Sequence, residues 1–573
     1  MSVGNVVLIG EDRFLTGLGD AVIARGGTVT AVVSRVLRVR DWAQAAGVPV
    51  LPSLDALPDG PRPDWVIGVG MQRTDGTTML ALPRLGAVSY HDGPLPHYAG
   101  VNTQVWALLA GETRHGVTWL LPDTDQNLGD VVLRQDFEIA ADETAASLIA
   151  KCQAAGLESF DTLLDRMEAG ALEGEPQDRA RRRYFRHAAR PLGDGRLDFT
   201  QGRDELLRLV RALDFGGARN PMASAKIEVA GKVVLIGAAA AAEGQGSEAP
   251  GTVLSADPET LVVATGSGAV ALSGLTDPMR RPLAADGLAR PGDRLSSLDP
   301  TQAARLRHQA VAMAPSQWHW RSRLSTFRPA VPGFVRQSGE AAAWADHRLP
   351  APQGLSDEAL FAALAAWVLA SCDDWSGGLA FAGRDVIAAA ETMPGYVNPW
   401  VPLGLGGDAA GKRTLAELAE DLEPDFAAAR AGGFAADIIA RHPGLAPFET
   451  PALGLSAGGP IQGTALTLSA LRGVVTLWHD TNALDVGAHC RLAGSLGRFL
   501  EALDGEGTTD RPVGALLAEA EAAPRLSVAA WAGLWAEDIP GAGPRPFAAP
   551  AFDRSAIMLR RREMRAGHAQ AAE

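Results

Sequence analysis

The segment Ser89-Tyr90-His91-Asp92-Gly93-Pro94-Leu95-Pro96-His97-Tyr98-Ala99-Gly100 sets one histidine at the head of a loop stiffened by two prolines and opened by two glycines. An imidazole can take and return a proton near neutrality, so a histidine so placed suits proton transfer during a group-transfer reaction. The segment reads as an active-site loop. The plainer alternative is a strand, a structural loop and a histidine with no chemical role.

The surrounding elements must position that ring. Residues 86–90 are short, apolar and bounded by turn formers, as a core strand of a parallel sheet is. His91 then falls at the strand's carboxyl end, the edge where open α/β sheets bind ligands. Pro94 and Pro96 fix two φ angles, leaving little freedom to lose when a substrate arrives. Residues 101–109 carry apolar side chains at helical spacing and lead the chain away from the loop. Strand-like runs at 6–10, 29–33, 65–69 and 117–121 alternate with helical patterns to about residue 155, which predicts a Rossmann-like parallel sheet covered by helices. The first run ends Ile9-Gly10-Glu11 without the later glycines of a dinucleotide fingerprint, which excludes an NAD site.

Longer motifs carry a resemblance. His91 through the Pro-Leu-Pro-x-Tyr-x-Gly loop to Trp106, then Gly111-Glu112-Thr113-Arg114-His115-Gly116-Val117-Thr118-Trp119, then Leu128-Gly129-Asp130-Val131-Val132, resemble the 10-formyltetrahydrofolate-dependent formyltransferases. The likeness is nearest to the formylation domains of nonribosomal peptide synthetases, and Val6 to Gly10, Asp142-Glu143-Thr144 and Lys151-Cys152 fit it too. It implies a formyltransferase-like catalytic domain at 1–190 and a small β-barrel-like subdomain at 195–285. It also implies 10-formyltetrahydrofolate as co-substrate and no metal. Asp92, Pro94, Leu95, Tyr98, Gly100 and Gly129 are then expected in the folate or substrate loop.

The family's catalytic group is an asparagine, a histidine two residues on, and an aspartate some thirty-odd residues later. His91 is kept, whereas the other two positions hold Ser89 and Asn127. Attack of an amine on a formyl carbon makes an oxyanion, and a donor aimed at it lowers the barrier by about 2.7 to 4 kcal/mol. Serine donates one bond with a shorter reach than an amide. The amine also loses a proton, and a positioned carboxylate accelerates that by about a hundred- to ten-thousand-fold, which asparagine cannot. His91 then carries proton transfer alone unless Asp125 or Asp130 takes the vacant role. Asp92 is a further candidate, although strand alternation points it away. For each aspartate the alternative is a solvated turn.

Composition bounds the remainder. A length of 573 residues predicts three or four domains, and a net charge of -15 gives no basic face for nucleic acid. The basic run Arg179-Ala180-Arg181-Arg182-Arg183 reads as a solvated connection ahead of phosphate or carrier docking. Cys152, Cys372 and Cys490 lie far apart, without metal or disulfide spacing. The first residues enter a strand pattern without a leader, and no run reaches ~18 apolar residues, so a cytoplasmic protein with no membrane partner is expected.

In the second half, residues 225–272 show short β-type runs, with an alanine- and glycine-rich loop tip at 238–246. Residues 288–349 read as a linker with one helix, in which Trp318 and Trp320 pack between domains. At 350–525, Gly395-Tyr396-Val397-Asn398-Pro399-Trp400-Val401-Pro402-Leu403 and the strand at 474–481 resemble the second lobe of nonribosomal peptide condensation domains. The eleven histidines never occur as the pair that those domains use, so condensation chemistry is not expected. The tail, 526–573, reads as disordered. The fold class is therefore α/β in three parts: Rossmann-like sheet, small β-barrel and condensation-lobe-like module.

Three functional readings follow. The first is formyl transfer to an amine of an amino acid or of a carrier-tethered aminoacyl group, in nonribosomal peptide or siderophore-type biosynthesis. A carrier or adenylation protein is then a partner. The second is a degenerate scaffold binding a folate, an aminoacyl group or a synthetase partner, and the third is a repurposed acyl or one-carbon transferase. The acceptor and the oligomeric state carry no readable code.

Overall fold

Val6 to Ile9 has no polar residue on either face, as a strand covered from both sides requires. In the computed structural model it is the centre of strand β1, Asn5–Gly10, whose last five residues are buried. Residues 3–522 are described, apart from 59, 71–75, 124–126, 171, 244–247, 337–340, 373, 485 and 506. The tail expected at 526–573 lies outside the described residues.

Strands β2 (Thr28–Val33), β3 (Val50–Leu51), β4 (Trp65–Val69) and β5 (Gly86–His91) run parallel to β1. After β6 (Ala99–Gly100), β7 (Arg114–Leu120) and β8 (Val131–Glu138) add antiparallel, giving the order β3-β2-β1-β4-β5-β7-β8. Helices α1 (Phe14–Ala24), α2 (Leu37–Ala45), α3 (Gly76–Ala81), α4 (Thr103–Ala110) and α5 (Ala145–Glu168) connect them. The longest, α5, starts at a reciprocal cap. Thr144 Oγ1 accepts from the Ser147 N–H at 3.2 Å, and Ser147 Oγ accepts from the Thr144 N–H at 3.0 Å. Its inner face adds Cys152, Phe160, Leu163 and Met167 to the core formed by Leu8, Ile67, Val88 and Trp119. This mixed α/β architecture with a Rossmann-like parallel sheet matches the expectation from residues 1–155.

Strand β9 (Tyr184–Phe185) pairs with β6 and hands the chain to a second unit. There α6 (Arg203–Ala212), a hairpin of β10 (Lys226–Val229) and β11 (Lys232–Leu235), and a sheet share one core. The sheet holds β12 (Ala238–Ala242), β13 (Val253–Ala256), β14 (Thr260–Ala264) and β15 (Ala269–Ser273) in the order β12-β15-β14-β13. The small β unit expected at 195–285 is thus a hairpin and a four-stranded sheet that share one core. The expected loop tip is corrected too: all five residues of β12 are alanine, and they pair with β15 from Ala238–Ser273 to Ala242–Ala269. Backbone pairing to a formed neighbour outweighs alanine's low β preference.

The expected linker is also more ordered than its composition suggests. Two helices, α7 (Pro300–Met313) and α8 (Gln317–Thr326), occupy it, and its last residues open β16 (Trp344–Pro350). Trp320 is fully buried, whereas Trp318 is exposed. The third unit is a six-stranded mixed sheet of β16, β17 (Gly378–Ala382), β18 (Val401–Gly404), β19 (Leu453–Ser456), β20 (Leu466–Leu471) and β21 (Val474–Asp480), ordered β16-β21-β20-β19-β17-β18. Its helices are α9 (Asp357–Ala370), α10 (Arg384–Thr392), α11 (Leu415–Ala429), α12 (Ile438–Arg441), α13 (Val486–Leu503) and α14 (Val513–Ala522). The α9 stretch from Ala359 to Leu369 is buried on every side, so this helix forms the unit's centre. No helix among the described residues is long and apolar enough to cross a membrane.

Candidate active site

Period-two alternation along β5 separates its side chains onto two faces. Tyr90 points into the sheet–α5 layer, 4.7 Å from the Phe14 ring and 5.1 Å from Trp119, and its hydroxyl donates to Cys152 O at 2.7 Å. Ser89 and His91 share the opposite face, Ser89 half-buried and His91 only 4% exposed. The ring expected at the loop mouth is therefore enclosed. Gly93 explains how: a Cβ there would lie 2.9 Å from His91 Nε2 and 2.6 Å from Tyr98 O, so only glycine lets the loop fold onto the imidazole.

That enclosure fixes the tautomer. His91 Nε2 is 2.6 Å from Tyr98 O, and a carbonyl only accepts, so Nε2 carries the proton. Nδ1 is left with its lone pair, 3.8 Å from Asp92 Oδ1. Burial pulls the His91 pKa below its ordinary value, with the Asp92 carboxylate opposing and Arg182 assisting. At neutral pH the ring is therefore an uncharged base with one nitrogen available.

Asp92 is the hub of the cluster. Its carbonyl accepts from Thr103 Oγ1 and from His115 Nε2 at 3.1 Å, and its carboxylate accepts from Gln104 Nε2 at 2.6 Å while staying 41% exposed. Thr103 and Gln104 reach it from the first turn of α4, which is why that helix follows the loop so closely. His115, 1% exposed, also has its Nε2 fixed as donor, leaving an enclosed Nδ1 without a partner. Asp12, just beyond β1, accepts from the Phe14 N–H at 2.8 Å, and burial and then the Asp92 charge raise its pKa. Gln104, His115 and Asp12 escaped sequence reasoning. A helix start after the loop and an aspartate just past a parallel strand were the available signals.

The remaining expected residues shape the loop. Leu95 is fully buried with Ala99 and Leu120, its N–H donating to Thr118 Oγ1 at 3.2 Å. The Pro94 carbonyl accepts from the Tyr98 N–H at 3.2 Å. Tyr98 stacks on Phe185 at 5.6 Å and donates to Glu112 Oε1 at 2.8 Å. Gly100, at φ +101°, lets the Phe185 backbone approach where a Cβ would sit 2.1 Å from its carbonyl oxygen. Gly129 does the same for Leu121, whose oxygen would be 1.6 Å from a Cβ.

Asn127 latches this loop. Its Oδ1 accepts from the Gly100 N–H at 3.1 Å, and its carbonyl accepts from Gln177 at 3.0 Å and Arg182 at 2.9 Å. Asp125 lies outside the described residues. Asp130 accepts through its carbonyl from the Leu121 N–H at 2.9 Å, and the charges acting on His91 are those of Asp92 and Arg182. The residue standing beside the imidazole is thus Asp92, against the direction that strand alternation suggested, because the strand ends at His91 and the chain turns. In the arginine run, Arg183 lies over the Tyr98 and Phe185 rings at 5.6 and 5.7 Å, supporting the loop from outside. Among the described residues no three His, Cys, Asp or Glu side chains are placed to hold a metal.

Comparison with known proteins identifies the family of the first two units. A model of the formyl transferase family matches residues 50–163, and one of the formyl transferase C-terminal domain matches residues 192–291. Methionyl-tRNA formyltransferase of Geobacter metallireducens is 28% identical over 315 residues, covering 51% of this chain and 98% of that protein. The enzyme of the same name from Myxococcus xanthus is 32% identical over 298 residues, covering 48% of this chain and 90% of that protein. HypX from Aquifex aeolicus, solved with tetrahydrofolic acid, aligns with a TM-score of 0.35 at 23% identity over 47% of this chain, which spans 43% of HypX. Both halves of the family pattern occur in order, and a 32% identical relative is spanned almost end to end, so this chain belongs to the formyl transferase family, enzymes that move a formyl group from 10-formyltetrahydrofolate.

Proposed function

We propose that this enzyme formylates a primary amine with His91 as its base and Asp92 in place of the family's aspartate. The observation that carries this is the His91 tautomer: Nε2 is committed to Tyr98 O and Nδ1 lies 3.8 Å from the Asp92 carboxylate. His91 Nδ1 takes the proton that the amine loses as its nitrogen bonds to the formyl carbon, and returns it to the folate nitrogen when that bond breaks. Asp92 stabilises the imidazolium in between. Ser89, on the same face, donates to the oxyanion. The Asp92 carboxylate, held by Gln104 and 41% exposed, suits the N–H donors of a reduced pterin edge.

We infer that the acceptor is an amino acid or a carrier-tethered aminoacyl group. Support comes from the net charge of -15, which repels a polyanionic tRNA, and from the motif likeness to synthetase formylation domains. The module at 350–525 then lies on the acceptor side as a condensation-lobe-like element, and three free cysteines suit a reducing, cytoplasmic setting.

Release of tetrahydrofolate from 10-formyltetrahydrofolate is followed with free amino acids, aminoacyl thioesters, aminosugar nucleotides and methionyl-tRNA as acceptors. Turnover with the first two classes, falling by about a hundred- to ten-thousand-fold in His91→Ala, is expected. Preference for methionyl-tRNA overturns the acceptor assignment, and turnover indifferent to His91→Ala overturns the mechanism. The double variant Ser89→Asn/Asn127→Asp adds a second reading: a lower rate marks a rebuilt site, and a higher one a decayed site.

A further inference from the structure

His115 touches both of the groups that hold His91. It is the second residue of β7, 1% exposed, and its Nε2–H donates to the Asp92 carbonyl at 3.1 Å. Its ring meets the Tyr98 ring edge-on at 5.7 Å, and the Tyr98 carbonyl is the acceptor that fixes the His91 tautomer. Phe137, its partner across the strand pair, packs on the same ring at 6.1 Å. The other donors to the Asp92 carbonyl come from helices: Thr103 Oγ1 and Gln104 Nε2, the latter at 3.4 Å, from α4, and Cys152 Sγ at 4.0 Å from α5. His115 therefore ties the Asp92 backbone to the sheet.

The choice of histidine here works against stability. Nδ1 is enclosed without a hydrogen-bond partner, and a buried polar atom left so is destabilising. Phenylalanine would keep the aromatic packing without that penalty, so packing alone does not account for an imidazole. Protonation brings no relief. Burial pulls the His115 pKa below its ordinary value, with His91 assisting and the bond to Asp92 and the Asp92 and Asp136 charges opposing, so the ring is neutral at neutral pH. What the imidazole supplies, and phenylalanine does not, is the Nε2–H bond to Asp92.

We propose that His115 is a positioning residue for formyl transfer, its hydrogen bond setting the Asp92 backbone so that the carboxylate stands beside His91. The separation so maintained is 3.8 Å, from Asp92 Oδ1 to His91 Nδ1. With His91 as base and Asp92 as its charge partner, the reading on which this rests, His115 takes no proton itself and acts only through Asp92. The charges that act on His91 are those of Asp92 and Arg182, so a change in the His91 titration reports where the Asp92 carboxylate stands.

The full chain and its variants His115→Phe, His115→Gln and Asp92→Asn are compared by thermal unfolding and by the pH profile of kcat/KM. Turnover is followed as tetrahydrofolate release from 10-formyltetrahydrofolate, with the amine that the parent uses best. His115→Phe is expected to unfold at or above the parent's temperature, because the unpartnered nitrogen is gone, while kcat falls about ten- to a hundredfold. Its acid limb should move to lower pH, in the same direction as in Asp92→Asn and less far, because His91 loses part of the opposing charge. His115→Gln returns an N–H donor and should recover most of kcat, and His115→Leu serves as a second variant without the donor. Unchanged kcat in the donor-free variants, or His115→Gln as slow as they are, overturns the proposal. A limb that moves in Asp92→Asn and stays fixed in the donor-free variants overturns it alone, whereas a limb fixed in all of them overturns the Asp92 reading beneath it as well.

Discussion

Tyr98 O can only accept, so His91 spends its one proton there and its Nδ1 keeps a lone pair, the one that the proposed mechanism uses. Burial lowers the His91 pKa and the Asp92 charge partly restores it. The rate should therefore be flat above neutrality and fall on the acid side, with a midpoint below the ordinary 6.5 of histidine. In Asp92→Asn the opposing charge is gone, so the acid limb should move to still lower pH while the plateau rate drops. A pH profile of kcat/KM checks both. An acid limb that moves upward, or stays fixed while the plateau falls, would assign Asp92 to folding alone. At this scale the loop that carries His91 was legible because its composition is distinctive. The enclosure of the imidazole was not, because that depends on Gly93 and Tyr98 closing over the ring in three dimensions. The resemblance implied an aspartate where Asn127 stands, but the use of Asn127 as a loop latch was not legible, because the partner, Gly100, is 27 residues away.

The elements that hold this site are a strand end, a folded-over loop and a latch. Asn127 contributes to the latch twice: its side chain accepts from Gly100, and its backbone sits at φ 56°, where asparagine is better tolerated than alanine. Asn127→Ala should cost about 2 kcal/mol, roughly half from the hydrogen bond and half from the backbone conformation. Asn127→Asp keeps an acceptor oxygen and tolerates the same φ, so its stability should be near that of the parent. Chemical denaturation of the two variants, followed by intrinsic tryptophan fluorescence, measures the difference. Equal losses in both would show that the side-chain oxygen holds nothing. Sequence patterns located β1, β4 and β5 because apolar runs of that length fit a doubly covered sheet. They missed β12, whose five alanines carry no strand signal and become a strand through pairing to β15. They also placed one helix in the linker where there are two, α7 and α8, joined by a tight turn at Ala314-Pro315-Ser316.

Across the whole molecule the third unit is fastened to the second by an apolar patch and a buried ionic bridge. The Gly395 to Leu403 segment, singled out for its condensation-domain likeness, helps form the apolar patch. Tyr396 and Val397 pack with Val233 and Leu235 of β11, and the Tyr396 hydroxyl reaches Glu228 at 3.3 Å. Beside it Lys226, 2% exposed, joins Asp194 of the second unit to Asp437 of the third. Burial alone would lower the Lys226 pKa, but the two carboxylates outweigh it and hold the ammonium charged. Lys226→Met therefore leaves Asp194 buried without its cation, a loss of about 3–5 kcal/mol. Removing both ends in Lys226→Met/Asp194→Asn should recover much of that, because the desolvated charge is gone as well. Since the bridge spans two units, the loss should also uncouple them. Calorimetry is expected to show one unfolding transition of the parent dividing into two in Lys226→Met, the lower one belonging to the less stable unit. A single transition shifted down as a whole would mean that the apolar patch alone couples the units and that the bridge contributes only locally.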